Sequence, residues 1–349
     1  EYQFTTTGVT ANVTNEVGTT RNIKAEGTST IKYRVCDNAG NCTPYSATKT
    51  VKVDKTNPTC IVTGGNATWI NASSTTTSRT ITATCSDGVS GCATAPLSTT
   101  YSTDINTTTA GALGNNSGGK VYDNAGNSVN CAANQTVKID KTIPDVPTGS
   151  LYKWSNNSTA PTSTSGLSAY TNNTWSNKKI YTVASGVTDA TSGLKEYQYT
   201  TTGTTTNNTN KAATTRNVEA EGVSYIKYRS CDNAGNCSGY STNYTIKIDK
   251  TNPTCTNGGD STKWTSGNRT ITWGCNDTTS GCNSSYSGGS QTFSSSTKTS
   301  SIATYTIKDN AGNITIAEEV VVVDTTAPTI TFNYTLITVE AGMPLEATI

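Results

Sequence analysis

A chain of 349 residues with a formal net charge of +1 has no charge field to steer it toward nucleic acid or an anionic membrane. Hydrophobic residues make up 32% and charged residues only 14%, too apolar for a disordered chain and too thin for one large core, so several small domains are expected. Histidine is absent, which removes the commonest general base and leaves an enzyme without support.

From the first residue onward the chain reads as short strands with period-two alternation, separated by polar turns. Ile31, Tyr33 and Val35 fall on one face and Lys32 and Arg34 on the other. Val51 and Val53 then flank Lys52, just as Ile246 and Ile248 later flank Lys247. Arg79–Cys85 places Ile81, Ala83 and Cys85 on one face, and Arg269–Cys275 does the same with Ile271, Trp273 and Cys275. No amphipathic helical stretch of useful length occurs, and no apolar run is long enough for a membrane span.

The strands recur. Residues 1–60 match 196–255 without a gap, at a constant offset of 255 − 60 = 195. EYQFTTTG returns as EYQYTTTG, and IKYRVCDNAGNC as IKYRSCDNAGNC. Within that period Asp-Asn-Ala-Gly-Asn begins at Asp37, Asp123, Asp232 and Asp309. Asp and Asn bond nearby backbone and Gly accepts the left-handed conformation, so the string predicts a hairpin turn between the last two strands of a unit. Each turn leads to an alternating strand ending in Asp54, Asp140, Asp249 or Asp324, and then to a Pro-containing joint.

The expected array is therefore a truncated long unit at 1–54, a short unit at 55–140, a long unit at 141–249, a short unit at 250–324 and the opening of a further unit at 325–349. Both ends fall within a unit, so a longer parent chain is expected, and its leader and anchor would lie elsewhere. One-faced strands need a second sheet, and units of this size suit a seven-strand β-sandwich.

DNAGN followed by V-x-V/I-D-K/T-T-x-P resembles the bacterial immunoglobulin-like repeats of large cell-surface proteins and adhesins, over nearly the whole chain. The resemblance implies an all-β fold of tandem immunoglobulin-like β-sandwich domains in an extended rod that projects from a cell envelope. It implies no particular ligand.

Eleven cysteines at recurring positions point to an oxidising, extracellular setting rather than to zinc, which would want C-x2-C pairs or histidines. Cys36 and Cys42 flank one DNAGN turn and Cys231 and Cys237 another, close enough for disulfides. Cys85 and Cys92, and Cys275 and Cys282, are replaced together by Val187 and Leu194 in the long unit, which favours local pairing. Cys60 would then join Cys131. The rival scheme pairs Cys60 with Cys85 and Cys92 with Cys131. Ala317 stands where Cys131 would align, so Cys255 is left over.

A second aspartate recurs in CSDGVSGC, VTDATSGL and CNDTTSGC. At the same end of a sandwich as the DNAGN turn and the incoming linker, three carboxylates could converge at each junction. The sets are Asp54, Asp87 and Asp123; Asp140, Asp189 and Asp232; and Asp249, Asp277 and Asp309. Converging oxygens suit Ca2+ at the joints; alternatively each aspartate caps its own turn. Trp69, Trp175 and Trp264 precede strands and are expected to lid thin cores, or to stack on sugars.

Low variation between copies suits a spacer whose units contact only their neighbouring repeats. The leading expectation is a stalk that presents a distal domain, with any host or cell-surface ligand bound elsewhere in the parent. The alternatives are a carbohydrate- or host-protein-binding module, or accessory repeats of an extracellular hydrolase. No partner nucleic acid and no membrane insertion are expected.

Overall fold

A computed structural model describes residues 1–205, 210–258, 263–294 and 301–331. Within these residues the chain is all-β, without a helix, and its sheets are antiparallel except for short parallel contacts. No helix is long and apolar enough to cross a membrane. From residue 332 on, the unit expected at 325–349 lies outside the described residues.

Segment 1–54 is one sheet in the order β2-β1-β3-β4, from Tyr2–Gly8 (β1), Val13–Val17 (β2), Gly27–Val35 (β3) and Lys49–Val53 (β4). Phe4 and Ile31 are buried on its inner face. Val35 is exposed in 1–54, whereas Ser230, at the same repeat position of 141–249, is fully buried.

Segment 55–140 carries Thr59–Thr63 (β5), Arg79–Ser86 (β6), Leu97–Tyr101 (β7), Ile105–Ala110 (β8), Lys120–Tyr122 (β9), Ser128–Asn130 (β10) and Gln135–Ile139 (β11). The sheet β5-β6-β7 faces the pairs β8-β11 and β9-β10. Ile81 and Ala83 are fully buried, as their alternation requires, and the core holds Val137, Ile139 and Val121 from the opposite strands.

Segment 141–249 is the largest. One sheet runs β13-β12-β15-β18, from Thr148–Trp154 (β12), Ser168–Ala169 (β13), Lys179–Ser185 (β15) and Thr215–Val218 (β18). The other runs β14-β20-β19-β16-β17, from Trp175–Ser176 (β14), Leu194–Gly203 (β16), Lys211–Ala212 (β17), Gly222–Asp232 (β19) and Tyr244–Ile248 (β20). Leu151, Ile180 and Val218 of the first sheet meet Tyr199, Ile226, Tyr228, Ile246 and Ile248 of the second in one core. The Tyr228 hydroxyl is satisfied there by Thr182, and Tyr199 packs edge-on against its ring at 6.3 Å.

Segment 250–324 pairs a sheet β21-β22-β23, from Thr254–Gly258 (β21), Arg269–Asn276 (β22) and Gly288–Phe293 (β23), with a hairpin of Ser301–Lys308 (β24) and Ile314–Val321 (β25). Ile271 and Trp273 meet Ala303, Val321 and Val323 between them.

The strand number varies around the expected seven. Segment 141–249 has nine described strands, because its insertion-rich first half adds short edge strands. Segment 250–324 has five, because β24 and β25 run unbroken where β8/β9 and β10/β11 are split. The tryptophans also differ from expectation. Trp69 and Trp175 join none of the cores. They lie on outer faces beneath Lys138 and Lys247, at 5.5 and 5.9 Å, because a lysine on the neighbouring strand covers the ring from the solvent side. Trp264 is exposed, and Trp154 and Trp273 are the buried ones.

Candidate functional site

No strand crosses from 54 to 55, 140 to 141 or 249 to 250, and at each of these joints the three expected aspartates come together. One carboxylate oxygen from each member of Asp54/Asp87/Asp123, of Asp140/Asp189/Asp232 and of Asp249/Asp277/Asp309 lies within 4.8 Å of the others.

Local backbone chemistry aims each group. The DNAGN turn closes as its composition dictates: Gly40, Gly126, Gly235 and Gly312 sit at φ of 90 to 97°, which an L side chain would strain. The first Asp accepts from within its own turn. Asp123 Oδ1 takes the Asn127 amide at 2.8 Å, Asp232 Oδ1 takes Asn236 at 2.8 Å, and Asp309 Oδ1 takes Asn313 at 2.8 Å. In the second loop, Asp87 Oδ1 accepts the backbone N–H of Ser90 and Gly91 at 2.9 and 2.7 Å. Asp189 and Asp277 repeat this with Ser192/Gly193 and Ser280/Gly281. The linker aspartate arrives from the preceding segment. Asp54, Asp140 and Asp249 each offer Oδ2 to the N–H of Ser90, Ser192 or Ser280, all at 3.1 Å. One serine amide thus binds two carboxylates from two segments.

The last asparagine of the turn closes the joint. Asn127 Nδ2 donates to the Asp54 carbonyl at 3.2 Å, Asn236 Nδ2 to that of Asp140 at 2.9 Å, and Asn313 Nδ2 to that of Asp249 at 2.9 Å. The same nitrogens also reach Oδ2 of Asp123, Asp232 and Asp309. Sequence reasoning read these asparagines only as turn residues. Their signal was present in the identical fifth letter of each DNAGN string. The middle joint has a further tie: Asn71 Nδ2 donates to the Ala234 carbonyl at 2.9 Å and the Ala72 amide to Asn236 Oδ1 at 2.8 Å.

Asp140, Asp232, Asp249 and Asp309 are wholly buried, and no lysine or arginine forms an ion pair with any of the nine among the described residues. Among those residues no hydrogen bond reaches Oδ2 of Asp87, Asp189 or Asp277. The donors are all oxygen and all anionic, a set that fits a hard divalent cation such as Ca2+. Burial, followed by the charges of Asp189 and Asp232, pushes the Asp140 carboxyl above its ordinary range. At the same repeat position, the half-buried Asp54 is held below it, chiefly by its hydrogen bond from Ser90.

Carboxyl NMR titration in chelator should therefore give Asp140 and Asp54 midpoints on opposite sides of 3.8. The linkage has opposite signs too. The Asp140 contribution is complete below its unfolded value and is lost as pH rises through the folded one, whereas that of Asp54 is lost as pH falls. Coincident midpoints would show that burial does not act as described.

Five disulfides hold these loops and cores. Cys36–Cys42 and Cys231–Cys237 clip DNAGN turns, while Cys85–Cys92 and Cys275–Cys282 clip the loops bearing Asp87 and Asp277. Cys60 joins Cys131 across the core, and Cys255 is free. Burial pushes the Cys255 thiol up, so little of it is the reactive thiolate. Each joint has one of its two aspartate loops covalently closed: the Asp87 loop, the Asp232 turn and the Asp277 loop. Such a count of disulfides is that of a chain folded under oxidising conditions.

No protein-family model matches the chain, and no curated protein matches it. Among solved structures, the crystal structure of a tetra-tandem repeat in the extending region of a large adhesion protein aligns with 93% of this chain and 92% of that one. The identity is 14% and the TM-score 0.26, so the alignment assigns no residue a role.

Proposed function

We propose that the chain is a stalk region of an extracellular surface protein, probing nothing itself and holding a distal domain away from the cell. In this reading 55–140, 141–249 and 250–324 are immunoglobulin-like sandwiches in line, and 1–54 and 325–349 belong to further ones. The observation that carries it is the joint. The same three carboxylates, the same shared serine amide and the same asparagine tie recur at three successive junctions. Conserving a joint geometry three times over serves fixed spacing between segments, a property that catalysis or ligand capture does not require. The partners are the neighbouring repeats, Ca2+ occupies the joints, and the chain has no catalytic residue.

Small-angle scattering of the chain in calcium should give an elongated particle, and a glycan array should give no signal. A compact profile would overturn the stalk. Saturable binding to one class of glycan would favour the carbohydrate-binding alternative.

A further inference from the structure

We infer that the outer face of the β24–β25 hairpin is a self-association surface, covered by the same face of a second copy of this chain. The outward positions of β25 are Ile314, Ile316, Glu318 and Val320; Val322, of the same parity just beyond the strand, is buried. Across from them on β24 stand Lys308 opposite Ile314, Thr306 opposite Ile316, Thr304 opposite Glu318 and Ile302 opposite Val320. Ile302 and Ile316 are 64% and 62% exposed, and Ile314 and Val320 nearly half exposed. Trp264, 56% exposed, precedes Thr265, which bridges to Val323 at the end of this face.

The other segments are built differently at the same positions. On β8 and β11 the outward face carries Asn106 paired with Lys138, with Thr108 and Thr136 beside them. In segment 141–249 the covering residue over Trp175 is Lys247, and over Trp69 it is Lys138; the equivalent position beside Trp264 is Val322. The apolar stripe is thus particular to 250–324 and is no by-product of the repeat. A patch of aliphatic side chains on a two-stranded hairpin is a hazard unless something covers it.

The charges on the face select the occupant. It holds one cation, Lys308, whose ammonium lies 5.9 Å from the Tyr286 ring centroid, and one anion, Glu318; neither forms an ion pair among the described residues. They stand at the levels of residues 314 and 318, equally spaced about Ile316. A two-fold axis lying between two such faces at Ile316 brings each Lys308 to the level of the other copy's Glu318. Both pairs form at once, as an isologous interface requires. Facing sheets pack about 10 Å apart, a gap that a lysine and a glutamate span together. An anionic lipid surface would call for basic residues in excess, which the face lacks; a sugar would call for many hydrogen-bonding groups, and besides Lys308 and Glu318 the face offers only the Thr304 and Thr306 hydroxyls.

Sedimentation equilibrium of the 349-residue chain tests this. A reversible monomer–dimer equilibrium is expected. Ile302→Thr with Ile316→Thr should weaken it about tenfold or more, leaving the melting temperature of the dilute monomer unchanged. Glu318→Lys should weaken it as well, and adding Lys308→Glu should restore it, a rescue that misfolding cannot imitate. A monomer at every concentration would overturn the proposal. So would a dimer indifferent to these changes, a disulfide-linked dimer through Cys255 on a non-reducing gel, or association only with vesicles.

Discussion

Replacing Cys60 and Cys131 together by alanine is expected to cost segment 55–140 about 4 kcal/mol. The bond spans 71 residues, and in the chain-entropy model its value lies in the freedom it removes from the unfolded segment. Cys85–Cys92 spans only 7, which the same model values at about 2 kcal/mol. The core in between is thin, built on Ile81, Ala83, Val121 and Val137 with Tyr101 as its buried aromatic, so little else can substitute for the bond. Denaturant unfolding of the double variant measures the loss; a change below about 1 kcal/mol would show that the unfolded chain is already compact there. The reciprocal experiment uses the second short segment. Cys255 and Ala317 pack against the same core, in the positions that Cys60 and Cys131 occupy in the first. Ala317→Cys should form the missing bond and raise stability, by less than 4 kcal/mol if β21 must shift to meet it.

The second large effect is expected from calcium. Chelation should lower the melting temperature and shorten the particle, because three sets of converging carboxylates lose their counter-charge. At a free ion concentration of about one hundred times the dissociation constant, each site contributes about 2.7 kcal/mol to the state that binds it. Asp87→Asn, Asp189→Asn and Asp277→Asn should reproduce the effect of chelator. Each keeps Oδ1 for its serine and glycine amides, yet turns the oxygen without a hydrogen bond into an NH2 that no cation can use. Identical melting and scattering curves with calcium and with chelator would leave the joints to hydrogen bonds and linkers alone.

Much of this is legible in the sequence. Strand faces follow from a period of two, so Ile81, Ala83, Ile246 and Ile248 could be placed inward from their neighbours alone. The paired loss of cysteines at Val187 and Leu194 pointed to the local bridges because a disulfide partner has no use without its mate. Other features escaped for a physical reason. A turn residue that bonds its own loop and one that also reaches the next segment look alike in sequence, so the tie from Asn127, Asn236 and Asn313 needed the joint itself. Whether Trp69 lids a core or lies under a lysine depends on a strand almost seventy positions later, and local patterning carries no such information.

The single crossing bond in 55–140 and its absence from 250–324 give the two short segments different extensibilities. If the chain is pulled from its ends, the 71 residues between Cys60 and Cys131 cannot be drawn out, which withholds roughly 240 Å of contour. In 250–324 only the span from Cys275 to Cys282 is locked, so that segment can pay out nearly its whole length and refold when the load falls. Alternating segments of this kind would behave as stiff links in series with yielding ones.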